Sequence, residues 1–332
     1  MTDSKDEKYM WRALELALHG EGFTSPNPMV GAVIVAPDDR IIGEGWHRRC
    51  GGPHAEVNAV ASVRPEDKHL LPSSTIYVTL EPCSHYGKTP PCSKLLKENK
   101  LKRVVAGMSD PFKEVSGRGF KMLREAGIEV TEGVLEKECR ELNKRFVTAH
   151  TLRRPYIQLK WAQSADGFIA EFDKNGKPCL TKLSNPLSLA EMHRERSLCD
   201  AILVGTNTVI SDNPSLTTRL WSGNSPRPVI FESPNIPTGS KIFDRNPIIL
   251  PRDIDLEAAI RLLYEKHGVT SLMVEGGTKI LEKFINDGIY DEIRLEISSR
   301  SLENGVKAPV LPHAFTLAEN RKIRENTILK IL

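Results

Sequence analysis

The chain has no apolar run approaching the roughly 18 residues that a membrane helix needs. Its first twenty residues are charged throughout and lack the apolar stretch of a signal peptide. Six cysteines in 332 residues are too sparse for a disulfide scaffold. In a reducing compartment, a cluster among them reads as metal-binding or catalytic. Net charge is also scarce. A formal +3 is too little to imply a nucleic-acid partner, though it suits anionic substrates such as phosphates. Internal repeats, low-complexity tracts and a Gly-x-Gly-x-x-Gly fingerprint are all missing. These absences point to a cytoplasmic protein with neither a membrane nor a nucleic-acid partner.

What is present fits an ordinary soluble enzyme: 39% hydrophobic and 27% charged residues. The length suits two domains, each able to bury its own core. In the first twenty residues Met10, Leu14, Ala17 and Leu18 share a helix face. Val30–Val35 and Ile41–Trp46 read as a β-hairpin, and Pro53 as the first residue of a helix. Strands at Ser74–Leu80, Arg103–Gly107 and Ile128–Glu132 alternate with helices at Cys92–Lys100 and Gly119–Ala126. Around Thr148–Pro155 the periodicity is lost, which divides the chain into domains 1–148 and 149–332. The second half restarts with strand Tyr156–Trp161. Helices then follow at Leu187–Ser197, Leu256–Lys266 and Thr278–Asp287. Strands fall at Ala201–Val204, Pro228–Phe231, Pro247–Leu250, Ser271–Val274 and Glu292–Ile297. Both halves are therefore α/β, and little chain remains after the last of these strands.

The strongest chemical signal is His54-Ala55-Glu56 together with Pro82-Cys83 and Cys92. Zinc deaminases bind their metal with one His and two Cys, and use the Glu of a His-x-Glu for proton transfer rather than as a ligand. Three protein ligands leave the fourth position of a tetrahedral ion open, which is the mark of a catalytic rather than a structural site. Zinc lowers the pKa of bound water to around 7, and Glu56 can take that proton and pass it on. The placement suits the chemistry: His54 and Glu56 in a first helical turn, Cys83 leaving a strand, Cys92 entering a helix whose positive end favours thiolate. His85 is available as a fourth ligand, but its loop suits substrate contact better.

The Cys83-to-Cys92 spacing is wider than the two-residue gap of cytidine deaminases. The run Cys83-Ser84-His85-Tyr86-Gly87-Lys88-Thr89-Pro90-Pro91-Cys92 closely resembles the RibD family, the deaminase/reductases of riboflavin biosynthesis. Pro26–Gly31, Gly45-Trp46-His47, Thr79–Pro82, Asp110-Pro111, Gly117–Gly119 and Leu142-Asn143 resemble it too. So do Pro155–Lys160, Ser164–Gly167 and Val274–Thr278. The resemblance runs from about residue 8 to about 298. It implies a cytidine-deaminase-like α/β/α domain followed by a dihydrofolate-reductase-like α/β domain. It also implies two reactions. Zinc-dependent hydrolysis removes an amino group from 2,5-diamino-6-(5-phosphoribosylamino)pyrimidin-4-one, and NADPH then reduces the ribosyl group of the product to ribityl. Small phosphorylated pyrimidines are thus the partners, and a homo-oligomer, dimer or tetramer, is expected.

By that resemblance, Asn27, His47, His85 and Lys88 meet the first substrate. Arg196, Leu216, Arg219 and Glu275 meet the second. Ala162, Thr208, Asp212, Ser233 and the run Gly277, Thr278, Lys279, Ile280, Leu281, Glu282 and Lys283 line the NADPH. Lys160 and Asp212 are candidates for orienting the ribose and moving a proton. The glycines of Val274-Glu275-Gly276-Gly277-Thr278 precede a helix start, where backbone N–H groups can cradle a pyrophosphate. Arg194, two residues from Arg196, competes with it as the phosphate clamp. One departure stands out: Cys179-Leu180-Thr181 occupies the place of the family's Trp-Ile-Thr. With the short C-terminus, it keeps open a second reading in which the reductase half is only a scaffold. A zinc-bearing nucleic-acid binder is a third class, opposed by the near-neutral charge.

Overall fold

The computed structural model describes residues 4–86, 90–112 and 116–332. The chain divides into two compact units, residues 1–152 and 153–332.

The first unit opens with α1 (Ser4–Leu18), β1 (Gly31–Val35), β2 (Ile41–Trp46) and α2 (Ala55–Ser62). A 3-10 segment, Pro65–Ser73, leads to β3 (Thr75–Val78). Then come α3 (Cys92–Glu98), β4 (Arg103–Ala106), α4 (Arg118–Glu125), β5 (Glu129–Thr131), α5 (Glu136–Leu142) and α6 (Lys144–Leu152). The sheet order is β2-β1-β3-β4-β5. The pairing of β1 with β2 and β3 is antiparallel, while β3, β4 and β5 run parallel. The core joins α1 to Val33, Ile34, Ile76, Val104 and Phe120. On α1 the buried stripe is Asp6, Met10, Ala13 and Ala17, whereas Leu18 is 51% exposed. The expected stripe was therefore right in its centre and wrong at its end, where the last helical residue turns out to solvent. Asp6 on that face is no misfit. It accepts two bonds from Arg103 at 2.9 and 2.8 Å and one from the Tyr77 hydroxyl at 3.0 Å. Helix α6 continues through the loss of periodicity seen around residue 148 and ends at Leu152.

The second unit contains β6 (Tyr156–Gln163), β7 (Phe168–Phe172), β8 (Pro178–Cys179), α7 (Pro186–Ser197), β9 (Ala201–Val204), α8 (Thr206–Asp212), β10 (Arg227–Phe231) and β11 (Ile248–Leu250). It continues with α9 (Leu256–His267), β12 (Ser271–Glu275), α10 (Thr278–Asn286), β13 (Glu292–Ile297), β14 (Val306–Lys307), β15 (Leu317–Ile323) and β16 (Asn326–Ile331). Eight strands form one sheet, in the order β11-β10-β9-β12-β6-β13-β16-β15. The first six run parallel; β16 and β15 close the edge antiparallel. The C-terminal segment is thus not a remnant. It is a hairpin paired with β13 that completes the sheet, and this removes one reason for the scaffold reading.

Period-2 alternation sorts this sheet into two faces. Ile157, Leu159, Leu272, Val274, Ile293 and Leu295 pack with Leu263 of α9 and with Leu281 and Phe284 of α10. The opposite face carries Gln158 and Lys160, Met273 and Glu275, and Glu292, Arg294 and Glu296. It is bonded to α7 through Ser188, Glu195 and Arg196. Asn185 caps α7 by accepting from the N–H groups of Leu187 and Ser188, and Pro186 takes the first helical position. No helix among the described residues is long and apolar enough to cross a membrane.

Candidate functional site

In the first unit, α2 begins at Ala55. His54 is its N-cap and Pro53 lies outside it, so the helix starts two residues later than expected. The helix packs against β2 at Gly45, where a Cβ would sit 2.3 Å from the Ala59 nitrogen. Any larger residue would push α2, and His54 with it, off the sheet. Cys83 lies in the loop beyond β3 rather than directly at its end, and Cys92 is the first residue of α3. The metal-ligating atoms of His54, Cys83 and Cys92 all lie within 4.8 Å of one another. Nδ1 of His54 is 3.6 Å from the Cys83 sulfur and 3.4 Å from that of Cys92. The Cys92 backbone N–H donates to the Cys83 sulfur at 3.2 Å, as a helix N-terminus should toward a thiolate. The hydrogen bond with Cys92 and the one with His54 hold the Cys83 thiol down at about 4. The negative Cys83 and burial push Cys92 up. One imidazole and two thiols, one already biased to thiolate, are a donor set suited to zinc. His85 is exposed and is not part of the three-member group.

Glu56 is buried at 3% exposure in the first turn of α2. Burial and then the Cys83 charge raise its carboxyl to about 7, so it holds or releases a proton near neutrality. A bound dication would draw that value down. His47 lies edge-on to His54, with ring centroids 5.6 Å apart. Its Nδ1 is 3.0 Å from the Pro53 carbonyl, and its Nε2 is 3.2 Å from the Asn27 amide nitrogen. Nδ1–H therefore donates to Pro53 while Nε2 accepts from Asn27. Burial lowers the His47 pKa, in keeping with a neutral ring. Lys88 lies outside the described residues.

In the second unit, Lys160, Glu275 and Arg294 stand side by side on β6, β12 and β13. Arg196 reaches Glu275 with two bonds, 2.8 Å from Nε and 2.6 Å from Nη2, and donates a third to the Thr217 carbonyl at 3.1 Å. Burial would raise the Glu275 carboxyl, but Arg196 and Lys160 prevail and hold it at about 2. Burial depresses Lys160. The two arginines differ in their surroundings: Arg196 is buried against Glu275, and Arg194 is half-buried. Two polar residues of this layer have no signature in the sequence reading. His193 is fully buried, and neither ring nitrogen has a well-formed hydrogen bond among the described residues. Burial, then Arg196 and Arg219, lower it to about 4. Glu296 is fully buried too and accepts from Ser184, Ser188 and Asn326. The alternating polar residues of β6 and β13 were the available clue.

The two βα turns meet. Gly276 and Gly277 have φ of 74° and 69°, and a Cβ on either would lie within 3.2 Å of the Thr208 side chain. Only glycine adopts that left-handed backbone readily, and it leaves N–H groups bare at the start of α10. Backbone N–H groups at such a helix start are of the kind that receive phosphate oxygens. Thr278, at the first turn, donates from its hydroxyl to Lys307 O at 2.5 Å. Deeper in α10, Leu281 points into the apolar core, and exposed Lys283 pairs with Asp287 at 3.4 Å. Asp212 and Arg219 are exposed, Leu216 is buried, and Ala162 and Ser233 are half-buried. Cys179 lies in β8, its sulfur 3.5 Å from the Glu171 carbonyl.

A three-donor centre beside a buried glutamate, on this α/β/α sheet, defines a zinc-dependent deaminase of the cytidine-deaminase class. In agreement, the cytidine and deoxycytidylate deaminase zinc-binding region matches residues 3–108, and the RibD C-terminal domain matches residues 155–309. The chain is 36% identical over 348 residues to the riboflavin biosynthesis protein RibD of Aquifex aeolicus, which spans 97% of this chain and 95% of that protein. It is 37% identical over 335 residues to RibD of Bacillus amyloliquefaciens, across 92% of this chain and 87% of the other. A diaminohydroxyphosphoribosylaminopyrimidine deaminase/5-amino-6-(5-phosphoribosylamino)uracil reductase from Thermotoga maritima superposes with a TM-score of 0.88 at 36% identity, covering 98% of both chains. Acinetobacter baumannii RibD superposes at 0.87 with 29% identity, covering 99% of this chain and 98% of that one. The chain belongs to the RibD family.

Proposed function

We propose that the chain carries out two consecutive steps of riboflavin biosynthesis. The first is hydrolytic deamination of 2,5-diamino-6-(5-phosphoribosylamino)pyrimidin-4-one; the second is NADPH-dependent reduction of the product's ribosyl group to ribityl. The observation that carries this reading is the convergence of His54, Cys83 and Cys92 beside buried Glu56, in a chain matched over nearly its whole length by RibD proteins.

In the first unit His54, Cys83 and Cys92 hold the metal, which when bound supplies Lewis acidity that brings a water's pKa near 7. Glu56 takes a proton at its carboxylate and returns it to the departing amine. Asn27 reads the donor and acceptor edge of the pyrimidine, oriented by its bond to His47. His85 and Lys88 complete the substrate contacts, Lys88 toward the phosphate. In the second unit the start of α10 at Gly277 and Thr278, with Ala162, Thr208, Asp212 and Ser233, holds NADPH, whose nicotinamide supplies the hydride. Lys160 and Asp212 orient the ribose and move the proton, with Glu275 as a substrate contact. Arg219, Leu216 and Arg196 seat the substrate, Arg196 with its charge already shared with Glu275. The enzyme is placed in the cytoplasm as a homo-oligomer, dimer or tetramer; a one-chain mass in light scattering would count against the assembly.

Mass-resolved conversion of the diaminopyrimidine phosphate tests the whole scheme. Without NADPH the product should be slightly heavier, because water is added and ammonia is lost. With NADPH it should carry two further hydrogens. Deamination with no reduction at millimolar NADPH would return the second unit to a scaffold role.

A further inference from the structure

Asn143 lies at the kink between α5 and α6, outside both regions matched by the family profiles. It is 3% exposed, yet its amide makes two bonds to a single residue 114 positions away. Its Oδ1 accepts from the Met29 N–H at 2.8 Å, and its Nδ2 donates to the Met29 carbonyl at 2.9 Å. A side-chain amide thereby substitutes for a strand neighbour at a residue that precedes β1 and takes no part in a ladder. The segment needs such a partner, because Pro28 has no N–H to give. From Met29 the connection continues through Asn27 to His47, and from His47 to Pro53, which precedes the metal-ligating His54.

We infer that Asn143 is a positioning residue for deamination: it fixes the Asn27-Pro28-Met29 segment so that Asn27 presents its amide to the pyrimidine. This rests on the proposed role of Asn27. The kink itself is held in place by close packing. The backbone N–H of Asn143 bonds the carbonyls of Cys139 and Arg140, at 3.3 and 3.2 Å. A Cβ on Gly107 would come 2.2 Å from the Cys139 sulfur, so α5 sits directly on the end of β4. The substrate edge of the site is therefore completed by chain that follows the zinc-binding region, which ends at residue 108.

Steady-state deamination by the full chain, with zinc content and melting temperature measured alongside, tests this. Asn143→Ala should raise KM for the diaminopyrimidine phosphate about tenfold, the scale of roughly one lost hydrogen bond, with kcat and zinc content close to wild type. Asn143→Asp keeps the size and the acceptor but loses the donor to the Met29 carbonyl, and should also raise KM. The double variant Asn27→Ala/Asn143→Ala should be no worse in KM than Asn27→Ala, since both act through the same contact. A raised KM in Asn27→Ala with an unchanged KM in Asn143→Ala would overturn the positioning role and leave that of Asn27 intact. An unchanged KM in Asn27→Ala would remove the Asn27 reading itself. Zinc loss or early melting in both Asn143 variants would make Asn143 a folding residue, and the inference would be wrong.

Discussion

In the first unit His54, Glu56, Cys83 and Cys92 come from a helix start, a loop and a second helix start. In the second unit Lys160, Glu275 and Arg294 come from three adjacent strands, with Arg196 and His193 from the helix above them. One site is assembled from short motifs, each carrying its own chemistry. The other is a polar layer made by alternate strand positions, in which ionic groups are buried and Arg196 and Glu275 satisfy each other. The first kind depends on donors kept free for a metal. The second depends on charge balance, because removing one partner leaves the other buried without compensation.

The sharpest test of this contrast is Glu56→Gln. It should retain zinc and lower deamination about 10²–10⁴-fold, while leaving reduction of supplied deaminated intermediate intact. Wild-type deamination in a zinc-loaded variant would remove Glu56 from proton transfer. Next in size, Arg196→Met strands Glu275 in the interior and should destabilise the second unit by about 3–5 kcal/mol. Chemical unfolding should show that transition move while the first unit's stays. Arg196→Met/Glu275→Leu should recover part of the loss; a greater loss in the double variant would contradict the charge-balance account.

Acid should separate the units less strongly. His193, lowered to about 4 when folded, lends stability that is fully present above its unfolded value near 6.5 and is lost as pH falls through about 4. Glu275, held at about 2, adds a term that is present above about 4.5 and lost toward pH 2. The His193 contribution is about 3 kcal/mol at most. Unfolding measured from pH 7 to 4 should show the second unit weakening, and His193→Gln should flatten the slope. An unchanged slope would mean that the ring is not held neutral. The smallest effect is expected from Lys283→Ala. Its exposed pairing with Asp287 is worth about 0.3–0.5 kcal/mol, and KM for NADPH should change less than about twofold. A larger rise in KM would show that the body of α10, and not only its start, meets the cofactor.

Local pattern alone picked out His54, Cys83 and Cys92, whose donor atoms the structure brings together, and also Glu56, the two α/β units and most of their strands. A His-x-Glu at a helix start and a Pro-Cys carry their meaning within a few residues, and helical and strand periods are written along the chain. Tertiary structure decided what depends on residues distant in sequence. The C-terminal hairpin was missed because its strands alternate weakly, with β15 largely exposed; pairing of β16 with β13 and of β15 with β16 is what makes them strands. Arg196 and Arg194 look alike in the sequence, and only the register of β12 beneath α7 sets Glu275 against one of them. Asn143 and Met29 are 114 residues apart, and neither hints at the other until α5 is seated on β4. The physical reason is the same in each case. A hydrogen bond or ion pair inside a protein is specified by where two elements meet, and the sequence of either element records only its own half of that meeting.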